Sequence, residues 1–526
     1  MWRRQAWTAP NHRVLSNVTI WVWGIVLVVI AVGSVSGMLF FFGDDPKGSA
    51  RLEAIRIAST VVVGTGGAAA LLLAARRQRF AELDGTERRI TELQTKAADQ
   101  LGHEKAAVRL AGLHSLERLA QDHPSHRQAI VNIICAYLRM PFTPPGKRQS
   151  RRPIAGSLRR RREPAWARPN AATVDVVKDE RQEEQEVRLT AQTLLAAHLA
   201  APDRNKKGRP GNPKYWDHIG LELRGATLVD FDFGRCEVSS AIFDGARFVG
   251  DFADFRGANM AVASCQGATF EAPTVFEDCE ISRASFARAT FRKSVRFTRA
   301  TLSAGADLPY IAFGKARFVG PAEFNGTRFA DQASFAEAEF HGPLYFNDTD
   351  FEGGVRFDLL KARASAYFND TRSAGDLSFE RSSFESSSYF NGSLFEGEMI
   401  SELADFGGPV YFNNSLFELG ADFTAATFRE SSYFNDSRFV LDARFETATF
   451  QGDAFFNKSE FAGAVSFDGA RFDGQLHFAD AGFLSDGAPL RGALFRSRPE
   501  KERLPAEHRG SVFRATRVGY FVIEED

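Results

Sequence analysis

The chain has 526 residues, with 65 Lys and Arg against 66 Asp and Glu, a formal net charge of −1. So small a charge excludes a generic nucleic-acid binder that works by bulk basicity. The four cysteines, Cys135, Cys236, Cys265 and Cys279, contain no C-x-x-C pair, which excludes a disulfide-stapled framework and a cysteine zinc site.

From the N-terminus, residues 17–43 hold no charged side chain, and Trp21 and Trp23 lie toward one end. A bilayer needs about 20 apolar residues, so 17–42 is expected to span one. The run is too long for a cleavable signal, and a second follows it. Residues 57–75 are again uncharged and richer in Gly and Ala; they form the second expected span, with a buried soluble helix as the alternative. Arg3, Arg4 and Arg13 precede the first span, Arg76, Arg77 and Arg79 follow the second, and the loop 43–56 balances acids and bases. The positive-inside rule makes 1–16 a cytoplasmic N-terminus and 43–56 an external loop. The expected location is the cell membrane, multi-pass, with both termini and the repeat domain cytoplasmic.

Residues 76–140 are expected to form a small helical module: an amphipathic stretch through Leu101, a helix from 106 to 120, a break at Asp122-His-Pro-Ser125, and a helix from 128 to 138. Residues 141–178, with Arg151, Arg152 and Arg159 to Arg162, read as a basic disordered linker. Such a segment either touches anionic lipid, at about 1 kcal/mol per basic residue, or is only a solvated tether. A helix at 179–200 and a linker at 201–214 follow.

Residues 215–484 carry an internal repeat, which decides the fold. An aromatic-Phe-Asn triplet recurs every 22 residues, at Tyr345, Tyr367, Tyr389, Tyr411, Tyr433 and Phe455. Between the triplets, Phe returns at steps of five and six, as in Phe324, Phe329, Phe335, Phe340 and Phe346. A small residue two positions before most of these Phe shares their face of an extended chain. Units that short cannot bury their own Phe and must stack on the next coil. Four sides close one coil per repeat, giving about twelve coils and a rod near 60 Å long. The column Phe324, Phe346, Phe368, Phe390, Phe412, Phe434, Phe456 and Phe478 is expected to be structural core. Ala362, Ser373 and Ser401 interrupt the Phe columns and are expected weak points. Gly320, Gly342, Gly397 and Gly474, at the six-residue units, are expected at corners that need positive φ. Tyr215, Trp216 and Ile219 are placed to cover the first coil, and 485–526 forms a C-terminal cap or tail.

Segments such as Ala253-Asp-Phe-Arg-Gly257 and Ala258-Asn-Met-Ala-Val262 resemble the A(D/N)LXX unit of pentapeptide-repeat proteins. That resemblance implies an all-β solenoid, a right-handed quadrilateral β-helix, here with Phe preferred to Leu and slightly wider coils. The stretch from Gln100 to Leu119 is similar to the helical region between membrane hairpin and repeats in actinobacterial membrane-anchored pentapeptide-repeat proteins.

Tyr345, Tyr367, Tyr389, Tyr411 and Tyr433 each precede an inward Phe, so they face out, near Asp348, Asp370 and Asp436. They form a candidate partner face, since Tyr is enriched in interface cores; stacking that merely stabilises the solenoid is the alternative. Asn325, Asn347, Asn369, Asn391, Asn413, Asn435 and Asn457 each match Asn-x-Ser/Thr. A corner amide ladder explains them better than glycosylation does. No nucleophile elbow, phosphate-binding Gly loop or HExxH is present, so no catalytic, cofactor or metal residues are assigned. The function expected is a non-enzymatic, membrane-anchored scaffold for an unidentified protein partner. Residues 221–480 hold 39 acidic and 23 basic residues, which leaves one alternative: a DNA-mimicking regulator of a topoisomerase or other nucleic-acid-binding protein. Direct binding of nucleic acid is not expected. A polysaccharide-lyase-like enzyme ranks last, because its cleft needs loops inserted between the strands.

Overall fold

The computed structural model describes residues 49–145, 171–201, 212–305, 309–485 and 489–499, with scattered positions between 22 and 40 and beyond 503. The chain forms two compact units, Met1–Thr95 and Lys96–Asp526.

Helix α1, Ser49–Leu101, is a single helix of 53 residues. The loop expected at 43–56 is therefore helical from Ser49 onward. Leu52, Glu53, Ala54 and Arg56 are strong helix formers, and no Pro or Gly interrupts them. Nothing breaks the helix at residue 76 either, so the second uncharged run and the amphipathic stretch after it are one element. It ends before Gly102, whose N–H reaches the carbonyl of Ala98 at 3.1 Å. Among the described residues no helix is long and apolar enough to cross a membrane. The expected span 17–42 lies largely outside the described residues. Within 57–75 the side chains of Ala58, Val61, Val62, Thr65, Ala68, Ala69, Leu72 and Ala75 lie outside them too.

In the second unit, α2 (Ala106–Asp122) and α3 (Arg127–Arg139) are joined by a 3-10 turn at Pro124–His126. Helix α4 runs Ala171–Leu199 and so begins inside the segment read as linker, of which 146–170 lies outside the described residues. Apolar spacing of three and four residues gives each helix one buried face: Leu113, Leu116 and Leu119 on α2, Ile130, Ile134 and Leu138 on α3, and Val187, Ala191, Leu194 and Leu195 on α4. Arg188 is buried between them. Its guanidinium donates to the carbonyls of Leu138 and Met140 at the end of α3, at 2.9 and 3.0 Å, and to Glu184 at 2.6 Å.

The solenoid has four faces. In the coil that starts at Ala333 they are face A (Ala333–Ser334), face B (Glu339–Phe340), face C (Leu344–Tyr345) and face D (Asp350–Phe351). Faces A and D are 12-stranded sheets; B and C merge into one 25-stranded sheet because Thr227–Asp232 and Arg247–Asp254 continue around their corner. A register shift there, between Val229 and Phe231, throws Phe252 outward and accounts for the break in the repeat near it. Pairing is parallel and usually one coil apart, as in Leu344 with Ala366 and Tyr345 with Tyr367. One coil is longer: Val295 pairs with Ala322, which places an insertion between faces D and A at 303–310.

The Phe columns fill the interior. Along the axis the rings stack in parallel, Phe324 on Phe346 at 4.6 Å and Phe346 on Phe368 at 5.1 Å. Across a coil they meet edge to face, as Phe335 does Phe346 at 5.4 Å and 89°. Both arrangements are favoured by the ring quadrupole. Two of the three interruptions are compensated. Beside Ala362 the paired inward residue is Leu360, and beside Ser401 it is Met399, so the large and small positions have exchanged places. At Ser373 the partner is Thr371, also small, and the Ser373 hydroxyl turns to the Gly375 carbonyl at 2.7 Å.

The role expected of the corner glycines is corrected: Gly320, Gly342, Gly397 and Gly474 have no positive φ. Their need is space. A Cβ on Gly474 would lie 2.3 Å from the Gly452 carbonyl oxygen of the coil before it. Left-handed backbone falls elsewhere, two residues after the Phe of the shorter units, at Glu337 (φ 58°), Asp348 (φ 54°) and Leu359 (φ 58°). The turns are closed by bonds such as Ala338 N–H to the Phe335 carbonyl at 3.0 Å.

Elements outside the repeat meet both ends of the rod. At the start, two helix glutamines stand in for a missing coil. Gln128 of α3 receives the Gly220 N–H and donates to the Gly220 carbonyl, both at 2.9 Å. Gln192 of α4 does the same for Val229, at 3.2 and 2.7 Å. Trp216 is fully buried against this junction. At the other end a hairpin, Phe513–Ala515 with Phe521–Ile523, adds antiparallel to Leu494–Phe495. The hairpin covers the last strand of face B, so that edge is not open to another chain.

Candidate partner face

The alternation that sends Phe346 inward sends Tyr345 outward. On face C the five tyrosines form one ladder with ring centroids 4.8–4.9 Å apart and nearly parallel planes. Phe455 and His477 continue it, at 4.9 and 4.4 Å. Because each ring covers its neighbour, the tyrosines are half-buried, and what they turn outward is ring edge and phenol oxygen. Among the described residues none of the five phenol oxygens makes a hydrogen bond. Burial, then the neighbouring phenol Tyr367 and the carboxylate Glu323, push the Tyr345 hydroxyl above its ordinary value; burial and the phenols of Tyr433 and Tyr389 do the same to Tyr411. Both stay protonated at neutral pH. The core column behind the ladder, Phe324 to Phe478, is 0–2% exposed.

Beside the ladder runs a second one, of asparagines. The side-chain oxygen of Asn369 receives both the backbone N–H and the side-chain N–H of Asn391 at 3.1 Å, and the pattern repeats from Asn347 to Asn435. The hydroxyl two residues on is buried: Ser393 donates to the Phe368 carbonyl at 2.7 Å and Ser415 to the Phe390 carbonyl at 2.7 Å. In the folded chain neither half of these Asn-x-Ser/Thr motifs is presented to an enzyme. Asp348, Asp370 and Asp436 stand exposed at the corner beyond, each with positive φ.

Two serines behind the ladder lack partners. Ser388 and Ser432 are buried, and their hydroxyls make no hydrogen bond. The same column holds Ala366 and Ala454 in other coils. An unpaired buried hydroxyl costs about 1–3 kcal/mol, so Ser388→Ala and Ser432→Ala should each raise stability by about 1 kcal/mol, read as a rise in the denaturation midpoint.

The junction between helices and rod holds a polar cluster that sequence reasoning missed, because its members lie far apart in the chain. His198 stacks on Trp216 with centroids 4.0 Å apart. Its ring nitrogens face the Lys214 carbonyl at 2.7 Å and Glu117 at 2.9 Å. Glu117 also meets His114 at 3.2 Å. A shallow cleft of about 380 Å³ opens here, lined by His114, Glu117, Glu186, Leu189, Thr190, Thr193, Leu194 and Ala197. Burial pulls the Glu117 carboxyl upward, but hydrogen bonds from His198 and His114 outweigh it and hold it below its ordinary 4.5. A carboxyl depressed in the folded state contributes stability that is complete above the unfolded value and lost as pH falls through the folded one. Amide protection in α2 and α4, corrected for the intrinsic exchange rate at each pH, should therefore fall as pH drops below about 4.5, more steeply in the wild type than in Glu117→Gln.

Among the described residues no His, Cys, Asp and Glu grouping could hold a metal ion. All four cysteines are free and buried; burial pushes Cys135 up to about 11 and the other three higher still.

Residues 312–358 match the family described as pentapeptide repeats (9 copies). No curated protein and no solved structure matches the chain. The matched segment covers about two coils of the solenoid, including Tyr345, and the flanking coils hold the same four faces in pairing register.

Proposed function

We propose that the chain is a non-enzymatic scaffold in which a pentapeptide-repeat rod presents face C to a protein partner. The observation that carries this reading is the tyrosine ladder. It repeats one residue type over five coils at outward positions that the core does not need, while the outward columns of faces A, B and D change type from coil to coil. Solenoids of this family are interaction modules in general, and uniform faces suit extended partners. The test is the triple substitution of Tyr367, Tyr389 and Tyr411 by serine. Recovery of co-purifying protein from native cells should fall at least about tenfold while melting is little changed, a change of about 1.4 kcal/mol. Unchanged recovery at unchanged stability removes the idea.

Membrane anchoring is part of the proposal. It draws support from the uncharged runs 17–42 and 57–75 and from the arginines that flank them, whose arrangement favours a cytoplasmic rod. The basic linker 141–178 would add attraction to anionic lipid. Release of the full chain from membranes by alkaline carbonate would overturn it. The alternative, mimicry of a nucleic acid toward a topoisomerase, draws support from the acidic excess over 221–480. Cross-coil pairs such as Arg299 with Asp278 and Arg296 with Glu277, at 2.8 and 3.0 Å, consume part of that charge. Inhibition of supercoiling by the purified chain would favour it.

A further inference from the structure

The outward surface around the tyrosine ladder carries a net negative charge. Across the five coils that carry the tyrosines, face C and its two corners comprise residues 342–348, 364–370, 386–392, 408–414 and 430–436. These positions hold Asp348, Asp370, Glu430 and Asp436 and no Lys or Arg; the position before them holds Arg363 and Arg429, the latter paired with Asp405 at 2.7 Å, and the next coil places Lys458 in the column of Asp436. The surface also has a definite relief. On one side of the ladder lies a low shelf, Pro343, Ser365, Ser387, Pro409 and Ser431, one outward position away and roughly 7 Å along the strand. The tyrosines rise above it as a straight wall parallel to the rod axis. The wall's seven rings, from Tyr345 to His477, advance in six steps of 4.4–4.9 Å, about 29 Å in all. The Asn ladder on the other side has its amides occupied by one another.

We infer that this wall and shelf form a binding trough for a flat, elongated, cationic aromatic molecule lying parallel to the rod axis. Three features select that chemistry. The ring faces are closed by stacking, so the trough offers ring edges, and a planar ligand laid against them makes the edge-to-face contact that aromatic groups favour. The length and straightness of the wall reward a rigid, extended ligand, which loses little conformational freedom on binding. The excess of carboxylates over basic groups along the wall favours positive charge on the ligand and disfavours negative charge. The site stands whether or not the same face takes a protein.

The test uses thioflavin T, a rod-shaped cationic dye, titrated into the full-length chain in detergent against a protein-free micelle blank. Saturable fluorescence enhancement is expected, weakened at least tenfold by Tyr367→Ser, Tyr389→Ser and Tyr411→Ser together, with circular dichroism and melting preserved. The anionic dye anilinonaphthalene sulfonate should neither bind the trough nor displace thioflavin T. If the triple variant loses its fold, the exposed pair Asp370→Lys and Asp436→Lys decides instead, and should also weaken binding at least tenfold. Equal thioflavin T affinity in the folded triple variant or in the charge-reversed pair overturns the site. So does equal binding of the anionic dye.

Discussion

Replacing Phe390 by alanine is expected to cost about 3–5 kcal/mol, the range for removing a buried aromatic when the surroundings do not collapse. The ring is fully buried, stacked on Phe368 at 4.9 Å and on Phe412 at 4.5 Å, with the edge of Phe379 at 5.6 Å. Collapse is blocked because the coils above and below are fixed by backbone bonds, Phe368 N–H to Tyr389 and Phe390 N–H to Tyr411, at 2.6 and 2.7 Å. The natural interruptions show what a tolerated gap requires. Ala362 and Ser401 each have a large inward partner, Leu360 and Met399, whereas the partner of Phe390 is Ser388. Adding Ser388→Leu to Phe390→Ala reproduces the Leu360 and Ala362 arrangement and should recover part of the loss. Denaturant melts with amide exchange over coils 366–412 provide the measurement. Equal exchange in wild type and Phe390→Ala would contradict the assigned core.

The second large effect is expected at Gln192. Substitution by leucine keeps bulk but leaves the N–H and carbonyl of Val229 without partners inside a buried junction, Gln192 being 5% exposed and Val229 likewise 5%. Each orphaned group costs about 1–3 kcal/mol, so the pair should cost about 2–6 kcal/mol. Gln128→Leu breaks the same two kinds of bond at Gly220. Gln128 is exposed, so water replaces the lost amide and the expected cost is below about 1 kcal/mol. Thermal melts of the two variants side by side test this: equal losses would show that burial is not what distinguishes the two caps.

The parts of the fold that follow a strict period were legible from the residues alone. Tyr345 and Phe346 return every 22 positions, and alternation then dictates which faces in. Legibility failed where geometry depends on a neighbour distant in sequence. Gln192 is an unremarkable helix residue until Val229, 37 positions away, is seen opposite it. His198 and Glu117, 81 positions apart, are the same case. The corner glycines misled for a different reason. Gly commonly marks positive φ, and does so here at Gly326, Gly392 and Gly469, but Glu337, Asp348 and Leu359 take the same left-handed turn without it, and the corner glycines serve contact between backbones instead. Helix α1 failed through its flanks, since the charged residues before 57 are helix formers too.

The amide groups of Gln128 and Gln192 have an implication for how the rod is made. A ribosome releases the chain from its N-terminus, so α2, α3 and α4 leave the exit tunnel before the first coil does. Each new coil then winds onto a finished template. Only the last coil stays sticky while synthesis proceeds, until the hairpin that follows the coils emerges and pairs with it.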